Sequence, residues 1–74
     1  MIKEKVLEIL QEINEEITEG VDLIEEGLMN SFVIVDVVME LEDAFGIEID
    51  PEEIIADNFQ TVDAIVDMME RLVP

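Results

Sequence analysis

The 74-residue chain contains no cysteine, histidine, tyrosine or tryptophan, and only three basic residues, Lys3, Lys5 and Arg71. Without cysteine there is no disulfide, no thiolate metal site and no thiol nucleophile. Without histidine there is no Ser–His–Asp triad. The missing cysteine also fits a reducing, cytoplasmic setting. Acid–base chemistry is left to carboxylates and to those three bases. No carboxylate pair stands apart as a dyad, so no catalytic site of the chain's own is expected. No apolar run approaches the about 18–20 residues of a membrane span. The opening MIKEKVLEIL mixes charged and apolar residues from the start, unlike a secretory signal.

What the chain does hold is acid: 21 Asp and Glu residues and a net charge of −18. Half of the residues are nevertheless apolar, too many for an acidic disordered tail. The sequence therefore predicts one folded domain spanning 1–74 with its carboxylates outside. A chain this short buries only about 60% of its unfolded surface, so the core is small. The acidic surface repels nucleic-acid phosphates and anionic lipid headgroups. It attracts proteins with basic patches, more strongly at low salt.

Apolar residues at Ile2, Val6, Ile9, Leu10, Ile13 and Ile17 carry helical spacing and predict a first helix from Ile2 to Ile17, with Gly20 beyond it. The loop TEGVDLIEEGLMN follows, and its Val21, Leu23, Ile24 and Leu28 predict that it packs on the body. Asn30 is a suitable N-cap for a second helix from Ser31 to Phe45, and Gly46 is a suitable left-handed terminator. Ile47–Glu48–Ile49 is too short to define a strand. Asp50, Pro51 and Glu53 form a capping-box pattern for a short third helix, Pro51 to Ala56. Asn58 then marks a turn. Thr61 caps a fourth helix, Val62 to Leu72, with a buried stripe of Val62, Ile65, Val66, Met69 and Leu72. The expected fold is all-α: a small four-helix bundle with a short third helix and a long first loop.

The acidic loop resembles a calcium loop only in part. With Asp22 at its first position, Gly27 falls correctly at the turn, but Ile24 and Val33 occupy places that need oxygen ligands. No metal site is expected there. On a helical wheel of about 100° per residue, Val37, Leu41, Ile34, Phe45 and Val38 form the core face of the second helix, extended by Val33 and Ala44. Asp36, Glu40 and Asp43 lie opposite. Phe32, Val35 and Met39 fit neither face and form an apolar strip edged by carboxylates, Glu42 included. Either the first loop covers this strip or it is a docking surface. Ser31, the only serine in the chain, stands at its N-terminal end. Its hydroxyl can serve the helix start, or it can accept a phosphate ester, which a helix N-terminus favours.

The segment GLMNSFVIVDVVMELEDAFGIEID resembles the region around the modified serine of acyl carrier proteins, which have a Gly-Leu-Asp-Ser-Leu type motif and an acidic helix ending in Glu-Glu/Asp-x-Phe-Gly-Ile-x-Ile. Ser31 and Phe32 fall at the serine and the following apolar position, and Glu42, Asp43, Phe45, Gly46, Ile47 and Ile49 follow in register. The resemblance continues through DPEEII and FQTVDAIVDMM, and LIEEGLMNS is similar to D-alanyl carrier proteins. It implies that Ser31 receives 4′-phosphopantetheine from a separate phosphopantetheinyl transferase, and that the arm's thiol holds an acyl or aminoacyl group as a thioester. It further implies a non-catalytic, monomeric carrier that serves loading and downstream enzymes with basic docking patches. The pathways it admits are fatty-acid, polyketide, nonribosomal-peptide or D-alanine transfer. Phe32, Val35, Asp36, Met39, Glu42 and Asp43 match the positions such carriers use for partner recognition. Asn30 departs from the aspartate that usually precedes the serine, where it helps to engage the transferase and its magnesium. That departure favours one alternative, an unmodified acidic interaction module of the same fold.

Overall fold

The structure, a computed structural model, describes residues 2–74. Four α-helices follow in order: α1 over Ile2–Ile13, α2 over Ser31–Phe45, α3 over Ala56–Phe59 and α4 over Val62–Leu72, with a 3₁₀ turn at Pro51–Glu53. Helix α1 packs on α2 and α4, and α3 packs on α4. Val6, Ile9 and Leu10 of α1, Val37 and Leu41 of α2, Phe59 of α3 and Ile65, Met68 and Met69 of α4 share one core. Burying a leucine such as Leu10 or Leu41 contributes about 1.5–3 kcal/mol. Residues of this kind hold together a bundle in which, among the described residues, no polar side chain is buried.

Helix α1 stops four residues short of the predicted Ile17. Asn14 breaks it: its Oδ1 accepts the Glu16 N–H at 2.9 Å, and its carbonyl accepts the Ile17 N–H at 3.1 Å in a tight turn. The last turn of α1 has no basic residue, and Glu12, Glu15 and Glu16 crowd the negative end of its dipole. Ile17 is still fully buried. Its helical spacing records burial reached through a turn, not a further turn of helix.

The first loop lies on the body, as its apolar residues predict. Leu23 is fully buried, and its N–H donates to the Gln60 carbonyl at 2.7 Å while its carbonyl accepts the Leu28 and Met29 N–H groups. Asp22 accepts the Glu25 N–H at 3.0 Å and the Gln60 side-chain amide at 2.7 Å. The Glu25 N–H, and after it the Gln60 amide, hold the Asp22 carboxyl below its ordinary pKa. Ile24 is the exception: it is exposed rather than packed.

Helix α2 has the predicted bounds. Gly46 ends it at φ 65°, a left-handed conformation that costs glycine little, and its N–H donates to the Glu42 carbonyl at 2.9 Å. The third helix departs from expectation. Asp50 does cap, accepting the Glu52 N–H at 2.8 Å, but only a 3₁₀ turn follows. No capping box closes, because the Glu53 carboxylate faces Arg71 at 3.1 Å and the Asn58 amide at 3.3 Å. The Asn58 amide also takes the Glu53 carbonyl at 2.7 Å, and the extended Ile55 interrupts the helix before α3 begins at Ala56. Asn58 therefore lies within α3 rather than marking the turn after a helix. Helix α4 matches its prediction, with the Thr61 hydroxyl accepting the Ala64 N–H at 3.0 Å. Met68 joins its buried stripe, while Leu72 is half-buried.

The three cations are all paired. Lys3 meets Glu19 and, at 3.8 Å, Asp63; Lys5 meets Glu8 at 3.7 Å; Arg71 meets Glu53 at 3.1 Å. The hydrogen bond and charge of Glu19 raise the Lys3 pKa. These exposed pairs contribute little stability. Their consequence is positional, because none involves α2.

Candidate functional site

The N-terminal end of α2 separates the work of two adjacent polar residues. Asn30 takes an extended conformation, and its Oδ1 accepts the Phe32 and Val33 N–H groups at 2.9 and 3.0 Å. Asn30, not Ser31, is the cap. Ser31 is exposed, and among the described residues its hydroxyl has no hydrogen-bond partner. The first turn of α2 contains no acidic residue. A phosphoester on Ser31 therefore meets a free, accessible oxygen at the positive end of a 15-residue helix, with no carboxylate in that turn to repel it. The residues present fit such a group.

The apolar strip is not covered by the first loop. Phe32 is 85% exposed, Val35 57% and Met39 61%. Asp36 and Asp43 are exposed beside them, so five of the six predicted recognition residues lie open on one side of α2. Glu42 differs. It is half-buried, and its Oε2 accepts the Ile49 N–H at 2.8 Å, which anchors the extended segment after Gly46. Nothing in the local pattern of α2 signals this bond, because its donor lies seven residues along and beyond a turn. The core face also needs one correction. Ala44 is exposed, while Val33, Ile34, Val38 and Phe45 are half-buried around Val37 and Leu41. Ala44 lies at the edge of the stripe, where a methyl group is too short to reach the core.

Sequence reasoning left out two features. Glu40 joins Met39, Glu42 and Asp43 around a shallow groove on the outer face of α2. Ile54 and Ile55 are exposed at the break before α3, and they become visible only once the third helix is seen to be interrupted. Among the described residues no group of three or more acids is arranged to hold a metal ion. Among the same residues no helix is long and apolar enough to cross a membrane.

Known proteins are similar in sequence along nearly the whole chain. The family described as "Phosphopantetheine attachment site" matches residues 2–69. D-alanyl carrier proteins of Bacillus cereus (strain B4264) and Bacillus anthracis (strain CDC 684 / NRRL 3495) are each 31% identical over 74 residues, covering 95% of this chain and 94% of theirs. With a family model matched over residues 2–69 and relatives aligned over 95% of its length, the chain belongs to the phosphopantetheine-attachment family of carrier proteins, whose cofactor is a covalently attached 4′-phosphopantetheine.

Proposed function

We propose that Ser31 is the attachment point and that the exposed side of α2 is the surface partner enzymes read. The observation that carries the first part is the division of labour at the helix start. Asn30 supplies the cap through two hydrogen bonds, and the Ser31 hydroxyl is exposed and, among the described residues, unpaired. Converting that oxygen to an ester breaks no bond that holds the helix. The bound arm supplies the thiol that the chain lacks and so allows cargo to be held as a thioester. The protein's own part is to anchor the arm at a rigid helix end and to present a recognisable surface beside it.

Phe32, Val35 and Met39 supply the apolar contact, and Asp36 and Asp43 supply charge at its rim, joined by Glu40. Partners of this surface carry basic patches: a phosphopantetheinyl transferase, then a loading enzyme and the enzymes that accept the cargo. Glu42 contributes mainly by fixing the segment that borders the surface. The D-alanyl carrier proteins among the relatives support an aminoacyl cargo, a D-alanyl thioester; its proposed setting is the cytoplasm, in keeping with the missing cysteine.

The attachment is tested by intact mass after incubation of the apo protein with a broad-specificity phosphopantetheinyl transferase and coenzyme A. The expected result is one added phosphopantetheine on the parent chain and none on Ser31→Ala. Because Asn30 keeps the cap, Ser31→Ala stays folded, with a change of no more than about 0.5 kcal/mol from helix propensity. Addition at Thr18 or Thr61, or a labelled alanine variant, rejects Ser31 as the site. The cargo is tested by loading the holo protein with a D-alanine-activating ligase and ATP. Failure to load, together with acylation by a fatty-acid loading enzyme, rejects the aminoacyl assignment.

A further inference from the structure

Met39 differs from the other described methionines in its access to solvent. Met29, Met68 and Met69 are at most 2% exposed, whereas Met39 is 61% exposed. Met39 lies one helical turn from Val35 and one from Asp43, and it lines the groove formed with Glu40, Glu42 and Asp43. It is absent from the core cluster, so no packing depends on its sulfur. The chain has no cysteine, so in the apo protein no thiol competes for oxidants.

We infer that Met39 is an oxidation site through which a hydroperoxide switches off docking on α2. This rests on the proposed docking role of that face. In the step, the thioether sulfur attacks one peroxide oxygen. The S–O bond forms as the O–O bond breaks, sulfur loses two electrons, and the second oxygen leaves as water when the oxidant is hydrogen peroxide. The product is a sulfoxide, polar and a hydrogen-bond acceptor, in place of a soft apolar group. It falls in the strip of three apolar side chains, Phe32, Val35 and Met39. Docking then has to desolvate a polar oxygen against the apolar part of the partner surface. The buried methionines are shielded by packing. The sulfoxide at Met39 stays open to a methionine sulfoxide reductase, which returns two electrons and releases the oxygen as water.

The test uses the full chain treated with dilute hydrogen peroxide, with oxidation at each methionine read from peptide masses. Transfer of phosphopantetheine from coenzyme A is then measured as an initial rate at sub-saturating carrier. Met39 is expected to oxidise about tenfold or more faster than Met29, Met68 and Met69. The thermal melt is expected to be unchanged. The transfer rate is expected to fall about fivefold, as for loss of a central interface contact, and to recover with the reductase and dithiothreitol. Met39→Leu has no sulfur, and its rate before and after peroxide is expected to be the same. Equal oxidation of Met29, Met39, Met68 and Met69 overturns the inference. Selective oxidation with no change in rate also overturns it, and Met39→Ala then locates the failure. If that variant transfers slowly, only the switch is wrong; if it transfers at the parent rate, the docking role of this part of α2 falls too.

Discussion

Glu42 and Asp43 are adjacent acids on one helix, and the structure gives them different work. The Glu42 carboxylate accepts the Ile49 N–H at 2.8 Å, whereas Asp43 is exposed. Replacing either by alanine removes one negative charge from a protein of net charge −18, which relieves the same self-repulsion. The difference between the two variants therefore isolates the bond. A hydrogen bond to a charged group is worth about 1.5–3 kcal/mol. Glu42 is only half-buried, and water can replace part of the interaction, so the lower end applies, about 1.5 kcal/mol. Ile49 adds to the cost, because it is 5% exposed and is held in the core by the segment this bond fixes. In a domain of this size, about 1.5 kcal/mol corresponds to a melting-temperature difference of roughly 6–12 °C. Urea melts followed by far-UV circular dichroism, with thermal melts in parallel, measure it. Glu42→Gln keeps an acceptor but not the charge and falls between the two alanine variants. If Asp43→Ala is destabilised as much as Glu42→Ala, the assignment of Glu42 to the Ile49 N–H as an anchor is wrong.

Three further outcomes are expected. Leu41→Ala costs about 2–5 kcal/mol in urea melts, as for a fully buried leucine, while Met39→Ala stays within about 0.5 kcal/mol of the parent and slows partner use instead. Asn30→Asp leaves stability nearly unchanged, because both residues cap well. With one carboxylate oxygen serving the Phe32 and Val33 N–H groups, its second, anionic oxygen is free for magnesium, so transferase labelling of Ser31 speeds up at limiting magnesium and converges at saturation. The lowered pKa of Asp22 contributes stability that is present above the ordinary carboxylate value and is lost as pH falls through the lowered one. Asp22→Asn is therefore less stable than the parent at neutral pH, and the gap closes in acid; a gap that widens in acid contradicts the loop geometry.

Helix bounds set by a local capping residue were legible from the chain alone. Asn30 and Gly46 bound α2, Thr61 opens α4, and each sits beside the groups it satisfies. The errors arose where a bond came from farther away or from a side chain competing with the helix. Asn14 stopped α1 although Ile17 kept the apolar period, and the Asn58 amide took a carbonyl that a longer third helix would have used. The strip of Phe32, Val35 and Met39 was readable because a helical wheel depends only on spacing, and α2 is regular throughout. The role of Glu42 was not readable, because its partner lies beyond the Gly46 turn. Asn30 was legible as the cap of α2; what the sequence left open was whether the Ser31 hydroxyl also serves the helix start, and the Asn30 side chain takes the Phe32 and Val33 N–H groups without it.

The pairing of Lys3, Lys5 and Arg71 with acids outside α2 has a kinetic side. Among the described residues, no lysine or arginine answers Asp36, Glu40 or Asp43. A basic surface arriving at α2 displaces water and mobile ions only, with no internal ion pair to break first. On the proposed docking role of this face, contact with a basic partner forms at a rate set by the long-range field and by ionic strength. A carrier proposed to meet several enzymes gains from an attraction that it never partly satisfies by itself. The composition that leaves these carboxylates unanswered tunes every such encounter together through the salt around it.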